Sequence, residues 1–267
     1  MIADGLRAEY IGETGNRLFA LLRAPDVASG ECTLVVPPLA EEMNKCRRIV
    51  TEFAQRERGE GRAVLCVDLS GTGDSDGELA GASVGRWLAD IATAISWSAS
   101  VGWRVSSLLG IRFGALLAAA YIRQRQIELS RVIFWQPATK GARLIDQLLR
   151  LRVVASRMES ARGESAADLR ARLKAGETIE VAGYALSGSL CADIDSLDLH
   201  GELSAAFPPI RWLDVIADAE AGISPATQRA LDSARAIGCR VEHIQVPGEP
   251  FWMSTEIVSN AALVAAS

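Results

Sequence analysis

The chain has 267 residues, 49% hydrophobic and 23% charged, with a formal net charge of −5, the balance of a globular domain with a substantial core. It shows no basic stripe for a nucleic acid to follow, no apolar run of membrane-spanning length, and no basic and apolar leader in its opening MIADGLRAEY. Five scattered cysteines (Cys32, Cys46, Cys66, Cys191, Cys239) form no C-x-x-C pair, which argues against a disulfide framework or zinc knuckle and for a reducing compartment, so a cytoplasmic protein without metal or cofactor is expected.

RAEYI and RLFALLRAP read as a hairpin about the turn GETGN. TLVVPP is a continuous apolar strand stopped by two prolines, which cannot continue a ladder. The helix EEMNKCRRIVTEFAQRER carries acidic residues in its first turn and basic ones later, the order that the helix dipole favours. RAVLCVDL is a second buried strand, followed by the glycine-rich loop SGTGDSDGEL. SVGRWLADIATAISWSAS has Trp87, Ile91, Ala94 and Ile95 at helical spacing, with Ser83 as N-cap. VSSLL then leads through a tight glycine-flanked turn into the helix GALLAAAYIRQRQ and the strand RVIFWQP. From about Thr139 to His200 the sequence turns helical and charge-rich, as in ARLIDQLLRLRVV and SAADLRARLKAG, with no strong buried strand. This segment, 139–200, is expected to be a helical lid inserted into a single domain spanning 1–267. IRWLDVIAD, the helix SPATQRALDSARAIG, the strand RVEHIQV, the loop PGEPFW and a last helix from about Thr255 complete the chain. Helices alternating with strands that are apolar on both faces predict an α/β fold with a mostly parallel sheet covered on both sides.

In such sheets ligands bind beyond the carboxyl ends of the strands. Gly110, Ile111, Arg112, Phe113 and Gly114 have the spacing of the G-x-S-x-G nucleophile elbow, with arginine where the serine should be. The acid of a triad has candidates in Asp218 and Glu220, which follow a late strand together with Asp214. The loop that should bring a histidine, PGEPFW, offers Glu249, Pro250 and Trp252 and no imidazole. The two histidines, His200 and His243, read as structural.

Arginine stays protonated and has no lone pair for attack. At a helix N-terminus it suits an anion, which the free amides and the dipole also favour. Two readings of Arg112 stay open: an internal brace paired with Glu41, Glu42 or Glu249, or an anchor for an anionic ligand. Glu41, Glu42, Asn44 and Lys45 form a polar cluster beside the loop where an oxyanion would be held, with Leu39 and Phe113 offering amides. A non-standard enzyme would use Glu42 or Glu249 to activate water. Ser75, Ser106 and Ser107 read as structural, and Cys46 has no histidine nearby in sequence. GTGDSDG lacks the Gly-Lys-Ser/Thr ending of a P-loop.

VPPLAEEMNKCRRIV, VLCVDLSGTGDSDGEL, LLGIRFGALLAA, FWQPATKGARLIDQLLR and GEPFWMSTEI together resemble the exosortase A system-associated hydrolase 2 family of the α/β-hydrolase superfamily. The resemblance covers nearly the whole chain and is weakest in the lid; its specific parts are the Glu-Glu-Met-Asn-Lys run and the Gly-x-Arg-x-Gly elbow. It implies a bacterial cytoplasmic protein beside exopolysaccharide synthesis and PEP-CTERM protein sorting, with arginine usual at the elbow. The chain departs from it at Pro37, where histidine is more common, and at Cys46, where serine is. Three functions follow: an esterase, thioesterase or acyltransferase with a non-standard site, a binder of an anionic acyl or sugar metabolite, or a partner protein in polysaccharide assembly.

Overall fold

Apolar runs broken by glycine and proline fold into one eight-stranded sheet in the computed structural model, which describes residues 5–159, 163–217 and 222–267. The N-terminal hairpin pairs β1 (Leu6–Ile11) antiparallel with β2 (Leu18–Arg23). Next in chain order come β3 (Glu31–Val36), β4 (Ala63–Val67), β5 (Arg104–Ile111) and β6 (Arg131–Trp135), and late in the chain β9 (Ile210–Ile216) and β10 (Val241–Pro247). The sheet order is β1-β2-β4-β3-β5-β6-β9-β10, parallel from β4 onward, so the fold class expected from the alternating pattern is observed. From β3 the chain steps outward to β4 and returns to β5 on the opposite side. A reversal of this kind, here at the ends of β3 and β5, is the place where such sheets accept ligands.

Alternate residues of each parallel strand face opposite layers. Val35, Leu109, Ile133, Trp135 and Leu213 pack against α1 (Glu41–Gly59) and α9 (Ala261–Ala266). Leu34, Leu108, Phe134 and Trp212 pack on the other face, against α2 (Val84–Ser100), α3 (Phe113–Arg125) and α8 (Pro225–Ala236). Helix α3 is buried continuously from Phe113 to Ile122, the condition of a helix that is apolar all round. Ser83 caps α2 by accepting from the Arg86 amide.

Between β6 and β9 lie α4 (Gly141–Glu159), α5 (Ala166–Lys174), α6 (Gly188–Asp195) and α7 (Leu199–Glu202), and also a hairpin, β7 (Thr178–Val181) with β8 (Tyr184–Ser187). The hairpin corrects the all-helical expectation for this segment. Its turn residues Ala182 and Gly183 have φ of 50° and 84°, the doubly positive conformation that a two-residue hairpin demands. With four residues per strand, Ile179, Val181 and Leu186 are buried in the core and Tyr184 packs against it. The last helix also differs from expectation. Asn260 accepts from the Leu263 amide and starts α9 at Ala261 rather than near Thr255. Among the described residues no helix is long and apolar enough to cross a membrane.

Candidate functional site

Three non-glycine residues with positive φ stand in the connections that follow β3, β5 and β6: Ala40 (56°), just before α1, and Arg112 (54°) and Gln136 (43°), each the first residue past its strand. Such conformations cost roughly 1–3 kcal/mol each and persist only where the surroundings over-determine them. At the elbow, Arg112 donates its amide to Trp135 O at 3.0 Å and its carbonyl accepts from the amides of Ala115 and Ala138. A Cβ on Gly114 would lie 2.0 Å from Val36 O, and one on Gly110 would lie 2.6 Å from Ala115 Cα. The two glycines therefore let α3 start hard against the end of β3. The sharp strand–turn–helix of a nucleophile elbow is present in full, with a guanidinium on it.

That guanidinium is enclosed by four elements. Its Nε donates to Glu42 Oε1 and Oε2 at 3.3 Å each, and its Nη2 to Glu42 Oε1 at 3.2 Å. Nη1 donates to the Gln136 carbonyl at 3.3 Å, and Nη2 also reaches Gln147 Oε1 of α4 at 3.5 Å. The Trp252 ring lies 5.0 Å from the guanidinium carbon, a cation–π contact worth roughly 0.5–2 kcal/mol. Trp252 is held edge-on by Phe251, which meets Trp135 in turn. The Arg112 side chain is 12% exposed and that of Glu42 17%. Of the three carboxylates offered as braces, the structure selects Glu42. Burial pushes its carboxyl above the ordinary carboxylate range, against the opposing pull of Arg112.

The other expected site residues divide by helix face. Glu41 pairs with Lys45 at 2.9 Å along the outside of α1, and Lys45 also donates to the Met253 carbonyl. Asn44 donates to the Tyr184 hydroxyl at 3.2 Å and so ties α1 to the hairpin. Leu39 is buried in the loop before α1. Phe113 packs edge-on against Trp87, and as the first residue of α3 its N–H has no intrahelical acceptor. Glu249 is exposed, away from the contacts that enclose Arg112. Asp218 and Glu220 lie outside the described residues.

Asp214 lies within β9 rather than in the loop after it. It accepts from Trp212 Nε1 at 3.0 Å and pairs with His243 Nε2 at 2.9 Å, both side chains nearly buried. His200 meets Ser233 at 2.7 Å on α8, far along the chain from the elbow. Ser75 donates to the Asp68 carbonyl and accepts from the Phe19 amide, which fixes its loop. Ser107 bonds Thr33 inside the sheet.

Gln136 and Gln147 were not among the sequence-based candidates. Gln136 acts through its carbonyl, while its side chain accepts from the Val215 amide at 2.7 Å and pins the strained residue to β9. Its only sequence signal is its place between a buried strand and Pro137. Glu42 had a stronger one: with Cys46, Ile49 and Phe53 it falls on the buried stripe of α1 at helical spacing.

A family model described as "Serine aminopeptidase, S33" matches residues 32–192. No curated protein matches the sequence. Among solved structures, the chain is similar to Est1E from Butyrivibrio proteoclasticus with bound ferulic acid, at TM-score 0.66 and 15% identity over 94% of this chain and 93% of that one. It is similar to alpha/beta hydrolase domain-containing protein 10 from mouse, at TM-score 0.56 and 18% identity over 97% and 94%. A thioesterase domain from the curacin biosynthetic pathway gives TM-score 0.56 and 15% identity over 91% and 93%. At these identities the likeness is one of fold.

Proposed function

The chain belongs to the serine aminopeptidase S33 family of α/β-hydrolases, and from that premise we propose that it keeps the family's elbow as a receptor for anions and has given up serine hydrolysis. Arginine stands at the nucleophile position, and the loop after β10 has no histidine. The proposed ligand is an anionic acyl or sugar metabolite held by Arg112.

The Arg112–Glu42 contact carries this reading. The elbow already binds a carboxylate, through bonds of 3.2–3.3 Å, and that carboxylate is disfavoured by its burial. An incoming carboxylate or phosphate exchanges like for like on the guanidinium, while Glu42 regains water as it turns out. Arg112 is thus a brace without ligand and an anchor with it. Segment 139–200 serves as the lid in this proposal, since Gln147 of α4 reaches Arg112 and Tyr184 of β8 reaches Asn44. The resemblance to the exosortase A system-associated hydrolase 2 family rests on residues 41–45 and the arginine elbow, and Glu42 and Arg112 meet here. It supports a place beside bacterial exopolysaccharide synthesis and PEP-CTERM sorting in the cytoplasm, with proteins of that system as further partners.

One observation favours a second reading, an esterase or thioesterase with an unconventional site. A buried carboxyl pushed upward, as Glu42 is, is the kind of group that serves as a general base. The experiment is calorimetric titration with succinate and glucuronate, beside assays on activated acyl esters and thioesters. Saturable binding lost in Arg112→Gln, strengthened in Glu42→Gln and unaccompanied by turnover is expected. Equal binding by Arg112→Gln overturns the proposal, and turnover abolished by Glu42→Gln establishes the second reading.

A further inference from the structure

A cavity of about 280 Å³ lies between α1 and the sheet, lined from β2, β3 and β4 and, at Ile111, from the end of β5. Leu21, Val35 and Cys66 line it from the sheet, and Met43, Cys46 and Val50 from the helix. Pro37 and Pro38 close the end nearest the sheet's carboxyl edge, and Arg23 stands at the other end. Arg23 pairs with Val64 in the ladder, while the Asp68 amide bonds Phe19 O. Four residues of β4 therefore separate the two ends, about 13 Å at 3.3 Å per residue.

The walls are chemically quiet. Burial pushes the Cys66 thiol up to about 12, with Arg23 pulling the other way, and burial pushes Cys46 up as well. Both thiols stay protonated and behave as small apolar groups. At the proline end Arg47 has Asp68 at 3.7 Å and donates its Nε to Asn44 Oδ1 at 3.3 Å. Arg23 differs: among the described residues its guanidinium makes no hydrogen bond or ion pair, although it is half-buried in the cavity wall. A partly buried cation without a counter-charge is costly unless something pairs with it.

We infer that this cavity is a binding site for an aliphatic monocarboxylate, with the carboxylate on Arg23 and the chain running under α1 toward Pro37–Pro38. At roughly 30 Å³ per water-sized group it holds about nine heavy atoms, the tail of a ten-carbon fatty acid whose carboxylate lies on Arg23. The charge selects an anion, and the apolar walls select a tail rather than a sugar or an inorganic phosphate. Arg112 and Glu42 take no part in the lining, although their chain neighbours Ile111 and Met43 do, so the anion held here is a different one from that proposed for the elbow.

The test is calorimetric titration of the full chain with decanoate and, separately, decan-1-ol at neutral pH. With the elbow saturated by succinate, decanoate is expected to bind at a single saturable site, and Arg23→Gln to weaken it by about tenfold or more, the worth of a charge-assisted pair. Decanol should bind both proteins alike. Cys66→Phe, which fills the cavity, should abolish binding of both probes. If that variant fails to fold, the contrast between decanoate and decanol on Arg23→Gln decides alone. No saturable decanoate binding in the presence of succinate, or equal decanoate affinity in Arg23→Gln, would overturn the inference.

Discussion

Helix α1 carries an inward-facing acid near each end, and the two are held in different ways. Glu57, near the C-terminal end, is fully buried and receives Arg62 through both Nε and Nη2 at 2.7 and 2.6 Å. Arg131 at 3.3 Å and the Thr33 hydroxyl at 3.3 Å complete its shell. Glu42, at the N-terminal end, is part-exposed and has Arg112 on longer bonds of 3.2–3.3 Å. Glu57 lies by the starts of β3 and β6, where Thr33 and Arg131 stand, and Glu42 by the ends of β3 and β5. Short, bidentate, many-partnered bonding at the edge remote from ligands makes Glu57 a fixture. Long bonding at the strand switch makes Glu42 exchangeable. The same pair of charges serves architecture at one end of the helix and access at the other.

Substitutions at the two ends should separate these roles. Glu57→Gln is expected to have the largest effect, roughly 3–5 kcal/mol of lost stability, because it leaves two part-buried guanidinium groups facing a neutral partner. A fall in the urea midpoint with succinate binding intact in the folded fraction would check this. Arg112→Met should cost less, about 2–3 kcal/mol at neutral pH, since it strands a single carboxylate that retains some water. That cost should shrink on acidification, as Glu42 takes up a proton and no charge is left stranded. Glu42→Gln should be smaller still and opposite in sign. A carboxyl held above its ordinary range contributes stability that is complete below that range and is lost as pH rises through the raised value. The glutamine variant should therefore match wild type in acid and equal or exceed it at neutral pH. Urea midpoints measured across that window test the sign, and a glutamine variant clearly weaker at neutral pH would make Glu42 a second Glu57.

The difference between the two acids was only partly legible in the sequence. The sheet was legible because its strands are long apolar runs set off by prolines, glycines and helices of unmistakable period. The elbow was legible because only glycine fits at 110 and 114. The choice among Glu41, Glu42 and Glu249 was not made, although helix phase contained it. Glu41 continues into the ion-paired outer face with Lys45, and Glu42 into the buried stripe with Cys46. The hairpin Thr178–Ser187 escaped notice because four-residue strands are too short for alternation to stand out. Gln136 and the Asp214–His243 pair were invisible for another reason. Their roles depend on register between strands far apart in sequence, which no local pattern encodes.

The smallest expected effect concerns catalysis. Arg112→Ser puts a hydroxyl on a backbone already in elbow geometry, with φ of 54°, so a missing nucleophile alone would be repaired. A serine hydroxyl attacks only when a base takes its proton, and among the described residues no imidazole at this edge is arranged to do so. The imidazole of His243 is engaged by Asp214 within the sheet, and Glu249 is exposed in the loop where a histidine would stand. Release of p-nitrophenol from p-nitrophenyl acetate should therefore be no faster with Arg112→Ser than with wild type. Adding Glu249→His to the serine variant sharpens the point, since it supplies an imidazole in the loop after β10. Turnover by the double variant alone would mean that the elbow remains competent and that loss of nucleophile and base together removed hydrolysis. Turnover by Arg112→Ser alone would instead identify Glu42, freed from its arginine, as a base, and would move the weight of the argument to the esterase reading.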